Sequence, residues 1–113
     1  MDKWKEFLLE QTGLPEETVE IGFESECLLY YDKRARKQKY ILNSIREVAG
    51  VRIVTVTSPT TNQGEKQIVG ITIKFTPFRQ KTAVSYLAFL KQNILTISGV
   101  TSVVFVHTNK VML

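Results

Sequence analysis

The chain has 113 residues, with a hydrophobic fraction of 43% and a charged fraction of 23%, the proportions of one ordinary globular domain. Its one cysteine excludes an internal disulfide framework and a metal site built from several thiolates, and no apolar run approaches the length that spans a bilayer. The net charge is +4, and the amino-terminal segment lacks the apolar core of a signal peptide. We therefore expect a protein located in the cytoplasm of the producing cell.

The amino-terminal segment (1–18) predicts a short amphipathic helical leader, followed by a single domain over residues 19–113. Trp4, Phe7 and Leu8 fall on one side of this helix. A helix of this length is not stable alone, so its apolar side must dock somewhere. The two alternatives are its own domain and a neighbouring subunit.

The first strand begins with the alternating apolar and polar side chains of residues 19–23. Residues 27–31 suit either an extension of this strand or the start of a helix. A helix that opened at Lys33 would place a block of cations at the positive end of its dipole. We favour a strand that ends near Tyr31.

Apolar side chains then recur at helical spacing from about Arg36 to Gly50, namely Ile41, Leu42, Ile45, Val48 and Ala49. Residues 51–57 predict a β-branched strand, and residues 58–64 predict a loop because they contain a proline and a glycine. Residues 67–76 predict the returning strand of a hairpin, with one apolar face made of Val69, Ile71, Ile73 and Phe75.

A second helix follows, with apolar side chains at alternating spacings of four and three residues: Ala83, Leu87, Leu90, Ile94 and Ile97. Gly99 ends it, and residues 100–107 predict the last strand. Residues 95–106 thus repeat the pattern of residues 45–56, in which a striped helix ends at Gly-Val and continues directly into a strand. The element order is βαββαβ, preceded by the amino-terminal helix.

This order predicts an α+β, ferredoxin-like two-layer sandwich, with a four-stranded antiparallel sheet and two helices on one face. The opposite face of the sheet is then left to water or to a partner. We place Ile53, Ile68, Thr72, Val103 and Phe105 on this open face. Because the last strand is apolar on both faces, we expect another chain or the leader to cover the open face or an edge strand.

With the two Gly-Val junctions in place, the chain resembles ACT domains over roughly residues 19–108. That resemblance implies a homo-oligomeric regulatory module that binds a small ligand at a subunit interface, although residues 31–35 lack the proline and glycine of the usual ligand turn. The topology is also similar to that of RNA-recognition domains, but the only aromatic residue of the third strand, Phe75, falls on the core face.

A further resemblance is to small ferredoxin-like proteins encoded near the structural genes of tailed phages. It is carried by the Thr-Gly-Leu-Pro-Glu-Glu segment at residues 12–17, by residues 45–51 and by residues 97–100. This resemblance implies a virion or assembly component.

Residues that could support chemistry are few. Cys27 is the only thiol and His107 the only histidine; they lie on strands that neighbour each other in this fold, so a pairing is conceivable. Residues 60–64 are not a phosphate loop, because no Gly-Lys-Ser/Thr unit follows. We predict no enzymatic activity, no metal and no cofactor.

The sequence therefore predicts a structural or assembly subunit that acts through contacts with other protein subunits, as a homo- or hetero-oligomer and without a membrane. The predicted contact residues are Trp4, Phe7, Leu8, Tyr30, Tyr31, Phe78 and Arg79. Phe78 is included because a large apolar side chain in a loop has little intramolecular reason to be there. A run of cations that extends to Lys39 is either a solvated face or a site for an anion or nucleic acid, made of Lys33, Arg34, Arg36 and Lys37.

Overall fold

The computed structural model describes residues 21–64, 66–78 and 82–113. The predicted leader and Arg79 lie outside these residues. The elements in chain order are β1 (Ile21–Asp32), α1 (Gln38–Arg46), β2 (Val51–Gln63), β3 (Lys66–Phe75), α2 (Ala83–Leu95) and β4 (Val100–Met112). In this described part, neither helix is long and apolar enough to cross a membrane.

The four strands form one antiparallel sheet in the order β2-β3-β1-β4. Each helix connects two strands that have one other strand between them, and the two helices contact each other on one face of the sheet. The predicted α+β class, with four antiparallel strands and two helices, is confirmed at this level. The arrangement is compatible with ferredoxin-like topology.

The core lies between the sheet and the helices. Alternate residues of the two central strands face it, and the β3 prediction is confirmed because Val69, Ile71, Ile73 and Phe75 are all fully buried. The helices contribute Ile41, Leu42, Ile45, Tyr86, Leu90 and Ile94. Tyr86 was absent from the predicted stripe of α2, yet its ring stacks on that of Phe75 with a centroid distance of 4.8 Å.

The predicted orientation of the last strand is wrong. Val103 is buried and Phe105 packs against the core, whereas Val104 and Val106 are exposed. The register explains the reversal, because β4 pairs Val103 with the buried Leu29 of β1. All four residues 103–106 are apolar, so their alternation carried no information about which set faces the helices.

The predicted loop over residues 58–64 is also wrong, because β2 continues to Gln63 and the turn is confined to the residues around Gly64, which has φ +66°. Pro59 is accommodated since β2 is an edge strand with a register shift between Ser58 and Thr61. A proline without an amide hydrogen costs little there. β4 likewise extends past His107 to Met112, where it pairs with the beginning of β1.

The repeated Gly-Val phrase marks two equivalent junctions between a helix and a strand. Gly50 and Gly99 have φ of +91° and +94°, a backbone conformation that favours glycine. Each glycine carbonyl accepts a hydrogen bond of 2.8 Å from the amide at the end of a central strand, Thr76 in one case and Asp32 in the other. Each junction therefore ties the start of an edge strand to the end of the strand beside it.

Space at the first junction is as restrictive as the backbone conformation. A Cβ at Gly50 would lie 2.7 Å from the ring of Tyr86 and 2.8 Å from the carbonyl oxygen of Thr76. The Tyr86 hydroxyl also donates a hydrogen bond of 2.5 Å to the Ala49 carbonyl. Gly64 offers a comparison, because its φ is also positive but no atom lies within 4 Å of the Cβ position.

We expect Gly50→Ala to lower the free energy of unfolding by about 2–4 kcal/mol, as the sum of a left-handed backbone cost of about 1 kcal/mol and an overpacking cost of about 1–3 kcal/mol. Gly64→Ala should show only the backbone cost. Urea unfolding of both variants and the unsubstituted chain measures the difference. Equal destabilisation by the two substitutions would contradict close packing at the Gly50 junction.

Candidate interaction surfaces

The open face of the sheet carries a small apolar patch, which we call the open-face patch and define as Leu28, Tyr30, Ile68 and Val104. Tyr30 of β1 lies directly opposite Ile68 of β3, and Leu28 lies opposite Val104 of β4. The first three side chains are partly buried and Val104 is 46% exposed. The patch therefore crosses three strands and reaches the edge of the sheet at Val104.

Polar and charged cross-strand neighbours border the patch at both ends. At one end Glu24 lies opposite Lys74, and Glu26 lies between Thr72 and His107. At the other end Asp32 lies opposite Lys66 of β3. The predicted positions of Ile53, Ile68 and Thr72 on the open face agree with this register, in which Ile53 is opposite Lys74.

The two edges of the sheet differ. β4 has 13 residues without proline and, on its outer side, no other strand of the described chain pairs with it. Its exposed apolar side chains are Val104, Val106 at 60% and Met112 at 73% exposure. Both edge strands have register shifts, three in β2 and two in β4, but β2, which has the same length, also carries Pro59 and a run of Ser, Thr, Asn and Gln residues. An unprotected edge strand offers free backbone amides and carbonyls to another strand.

A third surface is formed by residues 33–39, the segment between β1 and α1 together with the first two residues of α1, which we call the basic turn. The Asp32 carboxylate accepts a hydrogen bond of 2.9 Å from the Arg34 amide, and the Asp32 carbonyl accepts one of 3.0 Å from the Ala35 amide. These bonds close the turn immediately after the strand. The following residues line an open depression of about 480 Å³, made of Lys33, Arg34, Ala35, Arg36, Lys37 and Tyr40.

Among the described residues, Arg34 is the only cation of the basic turn that contacts a carboxylate. Its guanidinium lies 3.3 Å from the Asp32 carboxylate. Hydrogen bonds from Arg34 hold the pKa of the Asp32 carboxyl below its ordinary value, so this carboxylate is ionised at neutral pH. Arg36 lies over the ring of Tyr40, with its guanidinium carbon 5.0 Å from the ring centroid. The ring itself is 48% exposed.

The beginning of α1 adds further positive potential. Lys37 occupies the N-cap position in an extended conformation, and its side chain makes no capping hydrogen bond. The first turn contains no acidic residue. Cations here face the positive end of the helix dipole, an arrangement that is unfavourable unless an anion is nearby.

The structure places the predicted contact residues in different environments. Tyr30 is on the open face, in the patch described above. Tyr31 is 2% exposed and donates a hydrogen bond of 3.0 Å to Gln67, so its prediction as a surface contact is wrong. The alternation along β1 turns Tyr31 toward the helices, directly next to Tyr30. Trp4, Phe7, Leu8 and Arg79 lie outside the described residues.

The reasoning about Phe78 is also wrong, because this residue has an intramolecular role. Its ring makes edge-to-face contacts with Phe89, at a centroid distance of 5.2 Å, and with Tyr86, at 6.0 Å. It thereby covers one end of the core next to α2. The sequence could not show this contact, since it joins a loop residue to a helix that follows it.

Cys27 and His107 do not form a catalytic pair. Cys27 faces the helices and is 2% exposed. His107 is exposed and lies opposite Glu26 of β1, on the open face of the sheet. Burial raises the pKa of the Cys27 thiol to about 12, so the thiol is protonated at neutral pH. A protonated and buried thiol is a poor nucleophile.

No protein-family model matches this sequence, and neither the curated proteins nor the solved structures contain a significant match to the chain.

The pKa of Cys27 leads to a prediction about alkaline stability. Above about pH 9 the thiol ionises in the unfolded chain but stays protonated in the folded one, so stability should fall as pH rises. For one group the slope is at most about 1.4 kcal/mol per pH unit. Burial also raises the pKa of Tyr86, to about 12, which steepens the loss above about pH 10.

We therefore expect Cys27→Ala to flatten the decline in the free energy of unfolding between about pH 9 and pH 10, even though it lowers stability at every pH through lost packing. Urea unfolding of both chains across this pH range measures the two slopes. Identical slopes for the two chains would show that Cys27 does not titrate as its burial requires.

Proposed function

We propose that this protein is a non-enzymatic structural or assembly subunit that associates with further copies of itself through the β4 edge and the open-face patch. The observation that carries the proposal is the β4 edge, with its exposed Val104 and Val106. Natural sheets shield a long edge with proline, lysine or a very short strand, because an exposed edge invites pairing with another chain. β2 shows such shielding at Pro59 and β4 carries only Lys110.

The chemistry of β4 is compatible with pairing between two copies. Its charged side chains are limited to Lys110, with His107 as the one further titratable group. Antiparallel pairing centred on Val106 would place Lys110 of one copy opposite Ser102 of the other, so like charges would not meet. Main-chain hydrogen bonds supply the affinity in such strand addition, and the side chains at the edge supply the specificity.

An irregularity in β4 limits where the partner strand can pair. The register against β1 shifts twice, so Thr101 is an extra residue between the paired Val100 and Ser102, and Val106 is one between the paired Phe105 and His107. A bulge of this kind twists the strand and exposes a side chain. As the extra residue of this bulge, Val106 does not pair regularly with β1, and we propose that its side chain contacts the neighbouring chain.

The open-face patch adds apolar area that is continuous with the edge. Val104 belongs to both, since it is on the open face and on the outermost strand. Removing a valine side chain from water contributes about 1.5 kcal/mol or more. Ionic and polar neighbours around the patch, Glu24, Glu26 and Lys66 among them, resemble the polar rim of a protein interface.

Two narrower statements belong to the same proposal. The first is that the domain is ferredoxin-like, which the order β2-β3-β1-β4 supports, because each helix connection spans one intervening strand, as two interleaved βαβ units require. The second is that the assembly is a tailed-phage virion, which rests on the sequence resemblance of residues 12–17, 45–51 and 97–100 alone. Capsid or tail genes beside the gene for this chain would support it, and biosynthetic neighbours would oppose it.

We expect the double variant Val104→Lys/Val106→Lys to be monomeric under conditions where the unsubstituted chain forms oligomers. Two added cations at one edge repel their counterparts on a second copy and require desolvation on pairing. Sedimentation velocity at several concentrations measures the size distribution, and circular dichroism checks that the fold is retained.

Val84→Lys is the matched control, because Val84 is a 79% exposed valine on α2, on the far side of the helical layer from the open face. This variant should associate as the unsubstituted chain does. A monodisperse monomer of the unsubstituted chain, or equal loss of oligomers in the control, would refute the proposed interface.

A further inference from the structure

Within the part of the chain that the structure describes, the basic turn concentrates positive charge without matching negative charges. Lys33, Lys37 and Lys39 are exposed, and within the described part of the chain none of them has an ion pair. Among the carboxylates of the described residues, the one in contact with the basic turn is that of Asp32, and Arg34 already engages it. The described residues at this end of the sheet thus form a region of excess positive charge beside the uncapped start of α1.

The shape of the site favours an extended polyanion over a small ligand. Sites for small molecules are enclosed clefts that bury most of the ligand surface. The depression at the basic turn is instead open, and its lining consists largely of long, exposed cationic side chains. Lysines on such a surface can follow a chain of phosphates and release its condensed counterions.

The aromatic residue in the lining distinguishes between polyanions. The Tyr40 ring is 48% exposed, and the guanidinium carbon of Arg36 lies 5.0 Å from the centroid of this ring. Unpaired bases stack on exposed aromatic rings and on guanidinium planes, which inorganic polyanions cannot do. A membrane surface is disfavoured, since insertion requires side chains such as leucine, phenylalanine or tryptophan, and among the described residues of the lining Tyr40 is the only aromatic side chain and none is a large aliphatic one.

We propose that the basic turn binds single-stranded nucleic acid without base-sequence preference, with Lys33 and Lys37 on phosphates and Tyr40 stacked on a base. This inference goes beyond self-association, because it concerns a different surface from the β4 edge. Neither Lys33, Lys37 nor Tyr40 belongs to the open-face patch, so each surface can be altered separately.

The test is fluorescence anisotropy of a labelled, mixed-sequence single-stranded DNA, titrated with the full chain at several salt concentrations. Lys33→Gln/Lys37→Gln should weaken binding at low salt and reduce the slope of log affinity against log salt by about 0.7 for each lost phosphate contact. Lys91→Gln removes one such charge from an exposed position on α2, outside both the basic turn and the β4 edge, and should leave the slope unchanged.

Tyr40→Ala should weaken binding about tenfold, the loss of one stacked base, without changing the salt slope. Tyr40→Phe should restore binding, because it keeps the ring. Absence of binding by the unsubstituted chain at low salt would overturn the proposal, as would a change of slope per lost lysine in Lys91→Gln equal to that in Lys33→Gln/Lys37→Gln. Full affinity in Tyr40→Ala would overturn stacking, and equal binding to anionic lipid vesicles would favour a membrane surface instead.

Discussion

The fold depends on one repeated interaction, the hydrogen bond from the end of a central strand to the glycine carbonyl at a helix-to-strand junction. Thr76 donates to Gly50 and Asp32 donates to Gly99, both at 2.8 Å. Because these bonds fix where β2 and β4 start, they also fix which residues of the edge strands face the helices. Val103 is in the core and Val104 on the open face as a consequence of the second junction and the pairing that follows it.

The same junction connects the fold to the basic turn. A Cβ at Gly99 would lie 2.9 Å from the Cβ of Arg36, so the chain after β1 passes directly over the start of β4. Asp32 has two roles there: its amide completes the junction and its carboxylate holds Arg34. The cationic surface is therefore anchored to the sheet by the residue that ends β1, rather than being carried on an independent loop.

Sequence patterns were sufficient where a segment has one apolar face. For this reason β3 and the buried positions Ile41, Leu42 and Ile45 of α1 were predicted correctly, and the Gly-Val repeat located both junctions. The predicted stripe extended too far, because α1 ends at Arg46 and Ala49 is exposed. The orientation of β4 could not be predicted, because residues 103–106 are apolar on both faces of the strand. Only the pairing with β1 shows which of them face the helices. Pro59 led to the prediction of a loop, because a proline is tolerated within a strand only at the edge of a sheet. Which strand lies at the edge depends on the order of all four strands.

For the surfaces, the local part was predictable and the tertiary part was not. The cations of the basic turn are adjacent in sequence, so their cluster was evident. Tyr31 and Phe78 were assigned to a surface because their partners, Gln67 in one case and Phe89 in the other, are distant in sequence or lie on another element. Tyr86 was missed in α2 since its burial depends on a polar partner for its hydroxyl, the Ala49 carbonyl, which no periodicity reveals.

The contrast between the two sheet margins bears on how large an assembly could grow. Molecules whose sheets can pair at both edges add to one another without limit and form fibres. A molecule that can pair at one edge only binds a single second copy there. Pro59 and the displaced pairing around it make the β2 margin a terminus. Addition along β4 would accordingly close into a two-fold symmetric pair, and any larger particle would have to be built from other surfaces.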